Sequence, residues 1–265
     1  MTDREVRGDG VPDGHSLDAF HRGRFVLVQP MRGHRAGMDA LVLAAAVPGG
    51  FAGRLADLGA GAGAAGLAVL SRCPSATAVL VENAPEMLDC AQLTLAHPTN
   101  TGVANRAELL AADVTLSGKA RAEAGLADNS FDFVIMNPPF NDPGDRESPD
   151  PLRRRAHVMG EGLIEAWVRS AAAITKPRGR LAAITRPESL ADLLTALEGR
   201  FGKAELLPIH PRPGKAAIRV VVRATLGSRA ALRIMPPLIL HDEASNRFSA
   251  RADAICNGLI SLFGD

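Results

Sequence analysis

Two short stretches of this chain hold residue types that chemistry needs, at spacings that chemistry can use. The first is Phe131-Asp132-Phe133-Val134-Ile135-Met136-Asn137-Pro138-Pro139-Phe140. Its first half is an apolar, aromatic-rich run that reads as a buried strand. Two consecutive prolines end it, because neither donates a ladder hydrogen bond and each fixes its own φ. A residue before proline is held extended, so Asn137 stands at the strand tip. Its amide oxygen and the Pro138 carbonyl can point the same way, with Phe140 following as a flat apolar plate. Two acceptors beside a plate suit a planar ring bearing an exocyclic NH2. The acceptors take its two protons and the plate stacks on its face. The plainer reading of the same residues is a rigid turn after a strand.

The second stretch is Asp57-Leu58-Gly59-Ala60-Gly61-Ala62-Gly63, a glycine loop between a strand and a helix. Gly61, Gly63 and Gly66 match the dinucleotide-binding fingerprint, and Glu82 falls at the next strand tip, where that fingerprint places its acid. Two ligand classes compete here: a nicotinamide or flavin dinucleotide, and S-adenosylmethionine. Asp57 favours the second. A carboxylate just before the loop repels a pyrophosphate but suits an ammonium group, directly or through water. Glu82 serves ribose hydroxyls in either case. Asp113, ending the third strand, is placed to accept from an adenine amino group, or else is a strand-end turn residue. Four strand tips converge on one crevice at their carboxyl ends, where open α/β sheets bind ligands.

The elements that must position these residues alternate. Strand Arg54–Asp57 leads through the glycine loop to helix Ala64–Leu70. Strand Thr77–Val81, helix Pro85–Ala96 and strand Ala107–Ala111 follow, then a polar loop and strand Phe131–Met136. A long loop, Asn141 to Arg155, precedes helix Gly162–Ile174, strand Arg180–Thr185, helix Glu188–Leu197 and strand Lys203–Ile209. A Pro-Arg-Pro-Gly turn then opens strand Ala217–Ala224. Alternation with short turns predicts an α/β sheet with helices on both faces. The last two strands are joined too tightly for a crossover, so one late strand is antiparallel in a mostly parallel sheet.

Upstream, Met1 to Ser16 reads as a disordered tail. Strand Phe25–Gln29 and an apolar helix, Ala40–Val47, follow; Asp39 opens that helix, favoured by its dipole. From Ala19 to Met38 there is no acid, but His21, Arg22, Arg24, Arg32, His34 and Arg35 all occur. That segment is either an RNA-facing arm or a solvated basic face. Arg153-Arg154-Arg155 and His157, on the long loop, are phosphate contacts or a solvated run. Downstream, Leu238-Ile239-Leu240 is a short apolar run, and a helix is expected over Ala250–Leu262. Trp167 lies among apolar residues and reads as core.

Composition sets bounds. The chain has 265 residues, 46% apolar and 22% charged, ordinary for a globular protein able to bury a large core. A net charge of +1 supplies no global attraction to nucleic acid or membrane, so any such binding uses a local patch. Lysines are few, so basic patches are arginine forks suited to phosphate. Cys73, Cys90 and Cys256 are far apart and without metal-ligand spacing, which points to a reduced compartment and to no metal. No apolar leader and no membrane-length apolar run are present, so a cytoplasmic location is expected.

Over roughly residues 25 to 225 the chain resembles the class I Rossmann-like methyltransferases. Asp57 to Gly63 matches their first motif, Glu82 their ribose acid, and Asn137-Pro138-Pro139-Phe140 the Asn-Pro-Pro-aromatic motif of enzymes that methylate amino or amide nitrogens. Within that set it is most similar to the bacterial tRNA adenine-N6 methyltransferases, which modify an adenine beside a valine-tRNA anticodon. That likeness rests on the strand Phe25–Gln29, the entry Gly37-Met38-Asp39-Ala40-Leu41-Val42-Leu43, and the absence of a second large N-terminal domain. The family commonly has tyrosine where this chain has Phe140, and Asn141-Asp142-Pro143-Gly144-Asp145 is acidic for a loop beside RNA.

The resemblance implies S-adenosylmethionine as cofactor and S-adenosylhomocysteine as product. It implies catalytic roles for Asn137, Pro138, Pro139 and Phe140. Cofactor contacts fall on Asp39, Asp57, Leu58, Gly59, Gly61, Gly63, Glu82, Asn83, Asp113, Val114 and Asn137. Substrate contacts fall on Phe140, Arg153, Arg154, Arg155, Arg32 and Arg35. The expected organisation is an N-terminal tail, strand and helix (1–50), a methyltransferase core (51–225) and a C-terminal extension packed on it (226–265). The expected partner is RNA, with tRNA first, in a monomer or a homodimer. Guanine-N2 of rRNA, a protein glutamine or a small O- or N-acceptor are the alternatives, as is a noncatalytic protein that binds the cofactor and RNA.

Overall fold

The computed structural model describes residues 11–33, 35–139, 162–243 and 246–265. The chain begins with a hairpin, β1 (His15–Phe20) and β2 (Phe25–Pro30), paired antiparallel from His15 opposite Pro30 to Phe20 opposite Phe25. Part of the expected tail is therefore ordered. Val11 is buried, and His15 and Ser16 belong to β1. The polar sequence concealed this because β1 is half-buried along its length and has no clean alternation to read. Residues 1–10 lie outside the described set.

Helix α1 (Met38–Ala45) leads into the alternating part: β3 (Arg54–Leu58), α2 (Ala64–Arg72), β4 (Thr77–Glu82), α3 (Pro85–Ala96), the single turn α4 (Thr101–Ala104) and β5 (Ala107–Ala111). The expected polar loop contains a short helix, α5 (Gly118–Glu123). Then come β6 (Phe131–Met136), α6 (Leu163–Ile174), β7 (Thr175–Thr185), α7 (Leu190–Leu197), β8 (Phe201–His210) and β9 (Arg219–Leu226). Two short strands, β10 (Arg233–Ile234) and β11 (Leu238–Ile239), and helix α8 (Ala250–Cys256) end the described chain. Helix α8 stops six residues before the expected Leu262, and Gly258 follows with φ +67. Leu262 still reaches the core, from a turn instead of a helix.

The main sheet runs in the order β10-β8-β9-β7-β6-β3-β4-β5, with β11 also on β8. All its pairs are parallel except those made by β9, which is antiparallel to both β7 and β8. One late reversed strand in an otherwise parallel sheet is the predicted arrangement. Both faces are covered. Phe133 and Ile135 of β6 enter the core beneath α1, α2 and α8, whereas Val134 and Met136 enter the one beneath α6 and α7. A strand buried on both faces reads as a continuous apolar run. The hairpin is tied to the rest by buried polar bonds. Asn100 accepts from the Val26 amide at 2.9 Å and donates to the Val26 carbonyl at 2.8 Å, and Thr94 Oγ1 accepts from the Val28 amide at 2.9 Å.

Candidate active site

The glycine loop follows the tip of β3. Gly59, Gly61 and Gly63 have φ of +69, +57 and +95, a region that side-chain-bearing residues avoid. The amides of Gly59 and Ala60 both donate to the Val81 carbonyl at 2.9 Å, which folds the loop back over β4. A Cβ on Gly59 would lie 2.5 Å from Trp167 Cη2, so this glycine is required by close approach as well as by its φ. Gly66 is required for another reason: a Cβ there would lie 2.3 Å from Leu80 Cδ2, so α2 packs directly on β4.

Four acids border the loop. Asp57 is 2% exposed, and its Oδ2 accepts from the Gly66 amide at 2.7 Å. Burial pushes its carboxyl up to about 7; the Gly66 bond opposes that shift and the nearby Glu82 adds to it. Glu82 accepts from Gly61 N at 2.8 Å with one oxygen, and from Asn83 N and Ala84 N at 2.9 Å with the other. It therefore shapes the loop as well as facing the crevice. Asp113 Oδ1 accepts from the backbone and hydroxyl of Thr115, both at 2.7 Å. It is the turn residue that the plainer reading described, and it lines the crevice too. Asp39, in the first turn of α1, accepts from Arg219 Nε at 2.8 Å.

These residues line two connected spaces at the carboxyl ends of β3 to β7. A chamber of about 280 Å³ is bordered by Asp39, Asp57, Gly59, Gly61, Ala65 and Asn137. A cleft of about 720 Å³ is bordered by Glu82, Asn83, Asp113, Val114, Asn137, Pro138 and Pro139. Asp39, Gly59, Gly61, Met87 and Asn137 border both. Asn137 thus stands at the junction, between the glycine loop and the open end of the cleft.

Several predicted residues lie elsewhere. The Leu58 side chain is fully buried in the core of the α6–α7 face and borders neither space. Gly63 caps α2 and approaches Leu80 and Leu67, so it shapes the loop without facing the crevice. Arg35 borders the small chamber but is spent internally. It pairs with Asp18 at 2.6 Å and donates to Ser16 Oγ and the Pro30 carbonyl at 2.9 Å. Arg32 is exposed and borders neither space. The basic segment is not a free arm: Arg22 pairs with Asp253, and His21 is buried against Ser71. Phe140, Arg153, Arg154, Arg155, His34 and His157 lie outside the described residues.

Three side chains of the cleft were not foreseen. Trp167 of α6 is 7% exposed and is indeed core, but one edge covers Gly59 and closes the cleft. Arg186, just after β7, and Arg219, which opens β9, border the cleft as well. Arg186 falls between the expected strand Arg180–Thr185 and helix Glu188–Leu197, and Arg219 within the expected strand Ala217–Ala224. No sequence spacing signals that β9 inserts beside β7.

The donor set fits S-adenosylmethionine. A buried acid sits before the loop, a second acid at the next strand tip, and three left-handed glycines leave room at the backbone. Among the described residues no group of His, Cys, Asp or Glu is arranged to hold a metal, and no helix is long and apolar enough to cross a membrane.

The comparisons with known proteins bear on the family and the fold. A family model, the methyltransferase small domain, matches residues 36–209. Among solved structures, a predicted O-methyltransferase from Agrobacterium tumefaciens is 43% identical. The match covers 84% of this chain and 97% of that one, with a TM-score of 0.74. The T. thermophilus 16S rRNA N2 G1207 methyltransferase, in complex with AdoMet and guanosine, is 20% identical over 80% of this chain and 50% of that one, with a TM-score of 0.54. M. jannaschii TYW2, in complex with AdoMet, is 12% identical over 80% and 86%, with a TM-score of 0.52. Among curated proteins no match is found.

Proposed function

Because the chain belongs to the methyltransferase small-domain family and is an S-adenosylmethionine-dependent methyltransferase, we propose that it methylates an exocyclic amino group of an RNA base, adenine N6 of tRNA first. One observation carries this reading. Asn137, with Pro138 and Pro139 behind it, stands where the cofactor chamber opens into the cleft. An acceptor pair at that junction faces both the methyl donor and an incoming ring. The guanosine-bound rRNA enzyme named above shares the fold and acts on an amino group of a base, which supports the reading by analogy alone.

The bound cofactor would supply an electrophilic methyl on a sulfonium, displaced in line as the new N–C bond forms and the S–C electron pair returns to sulfur. The chain's own contribution is positioning. The lone pair of an aromatic amino group is conjugated into its ring, so the group is a weak nucleophile. Asn137 Oδ1 and the Pro138 carbonyl accept its two protons and turn the lone pair toward the chamber. The methylated product then loses a proton to water, and no strong base is needed. Catalysis is orientation plus electrostatics. Asp57 and Asp39 would hold the ammonium end, Glu82 and Asn83 the ribose, and Asp113 and Val114 the adenine, while Trp167 excludes water behind Gly59. A base in a duplex or stack must be flipped to reach Asn137, and stacking at about 1–3 kcal/mol per base offsets part of that cost.

The 43% identity to a predicted O-methyltransferase favours a second reading, transfer to a hydroxyl. The two are separated by incubating the protein and labelled cofactor with total RNA from cells lacking it, then digesting to nucleosides. Label on N6-methyladenosine supports the first reading. Label on N2-methylguanosine keeps the amino acceptor but moves the base. Label on a ribose, or none on RNA, refutes it.

A further inference from the structure

The cofactor placement above gives partners to the ammonium, the ribose and the adenine, but none to the methionine carboxylate. Among the described residues, the small chamber is bordered by two acids, Asp39 and Asp57, and by one cation, Arg35. Arg35 does not border the larger cleft. Its internal bonds do not exhaust it. A guanidinium has five N–H donors. Nη1 gives one to Ser16 Oγ and one to the Pro30 carbonyl, and Nη2 gives one to Asp18 Oδ2. Ser16 Oγ itself donates to Asp18 Oδ2 at 3.0 Å, so these two acceptors are neighbours along the edge that Nη1 and Nη2 share. The Nε hydrogen and the second Nη2 hydrogen are left, together on the next edge. A pair of parallel donors on one edge is what a carboxylate accepts in a bidentate way.

We propose that Arg35 binds the carboxylate of the cofactor's methionine end, with Asp39 taking the ammonium. The inference rests on the cofactor placement given above and uses nothing about the methyl acceptor. It moves Arg35 from the substrate, where the resemblance placed it, to the cofactor. An α-amino acid end is a zwitterion, and a chamber bordered by a cation and by acids matches both of its poles. Each pole is tied to a residue outside the chamber: Arg35 to Asp18 at 2.6 Å, and Asp39 to Arg219 at 2.8 Å. The ties hold both side chains in place before the cofactor arrives, so less rotamer freedom is lost on binding. Asp18 competes only in part for the guanidinium, because Ser16 Oγ and Gln29 Nε2 also donate to it, at 3.0 and 2.7 Å. Gln29 is 1% exposed and accepts from the Ala36 amide at 2.7 Å, and Ala36 borders the same chamber. The β1–β2 hairpin therefore builds one wall of the cofactor chamber, which gives its polar network a function.

The test is calorimetry with three probes. They are S-adenosylhomocysteine, its carboxamide, which removes the carboxylate charge, and 5′-methylthioadenosine, which lacks the whole amino-acid end. R35Q should weaken S-adenosylhomocysteine about tenfold, the low end for a hydrogen bond to a charged group, because the Arg35 side chain is 36% exposed. The carboxamide should bind wild type about tenfold more weakly than the acid does, a gap that narrows to about twofold in R35Q. R35K keeps the charge without the fork and should recover part of the loss. 5′-Methylthioadenosine should bind wild type and R35Q alike, which separates a lost contact from a disturbed wall. D39N reads the placement itself: it should weaken the acid and the carboxamide together and spare 5′-methylthioadenosine. Equal losses of the acid and 5′-methylthioadenosine in R35Q would make Arg35 a structural tie of the hairpin. Unchanged affinity for the acid, or the full carboxamide gap kept in R35Q, would put the carboxylate elsewhere. Each of these overturns the proposal. If D39N separates the probes and R35Q does not, the placement stands and the carboxylate site falls. If neither variant separates them, the placement falls and the site with it. The acceptor is decided independently, by nucleoside digestion.

Discussion

Asp57 is predicted to make cofactor binding depend on pH, with a direction that follows from its burial. Its carboxyl is fully buried and pushed from 3.8 up to about 7, chiefly by desolvation. An acid raised on folding is protonated in the folded protein at pH values where the unfolded chain has already lost that proton. Its burial therefore costs stability increasingly as pH rises from about 4 to about 7, and no further above that. The cofactor's ammonium reverses the preference, since it pairs with the ionised form. Below about pH 7 binding must expel a proton, so affinity falls toward tenfold per pH unit, or about 1.4 kcal/mol. Between about pH 7 and pH 5 the loss is about fiftyfold. Asp57→Asn keeps the shape and removes the titration, so its affinity should be weaker at neutral pH and nearly flat with pH. It should also lose part of the Gly66 bond, a separate stability cost of about 1 kcal/mol visible in urea unfolding without cofactor. Calorimetry in two buffers of different ionisation enthalpy reads both affinity and proton release. An affinity unchanged from pH 5 to pH 8, or a pH profile kept in Asp57→Asn, would refute the assignment of Asp57 to the ammonium.

Other expectations are simpler to state. Asn137→Ala should leave the fold intact, because the side chain lies in the crevice and not in the core, but slow single-turnover methyl transfer at saturating cofactor by about 10²–10³-fold; a wild-type rate would reduce the motif to a turn. Trp167 is the only tryptophan and borders the cleft, so its fluorescence should shift on cofactor binding, and Trp167→Phe should abolish the signal while keeping affinity within a few-fold. Gly59→Ala meets Trp167 at 2.5 Å and a left-handed φ, so it should weaken cofactor affinity at least tenfold, read by calorimetry, with the melting temperature lowered as well. Asn100→Ala strands the buried Val26 amide and carbonyl and should cost about 2–3 kcal/mol in urea unfolding, with the cleft residues untouched.

Much of this protein was decided by local sequence. Runs such as Leu55 to Leu58 and Phe131 to Met136 are apolar but for Asp57 and Asp132 because they are buried on both faces, and a doubly buried strand leaves no alternation to confuse the reading. Glycines at 59, 61 and 63 signal left-handed backbone, and two prolines stop β6 whatever surrounds them. Hence the chamber, the acids at 57 and 82, and Asn137 at a strand tip were all legible. Long-range pairing decided the rest. Polar β1 is a strand because β2 offers it a ladder, and Arg35 and Arg22 of the basic segment are paired with Asp18 and Asp253, acids outside its own stretch. Leu58 and Gly63 belong to the loop motif by sequence, but the alternation of β3 and the packing of α2 on Leu80 turn them from the crevice. Arg219 lies 82 residues beyond Asn137 and joins the same cleft only because β9 inserts antiparallel between β7 and β8. Composition carries no trace of that insertion, because strand order is set by which buried faces fit together, a property of the packed sheet and of no single segment.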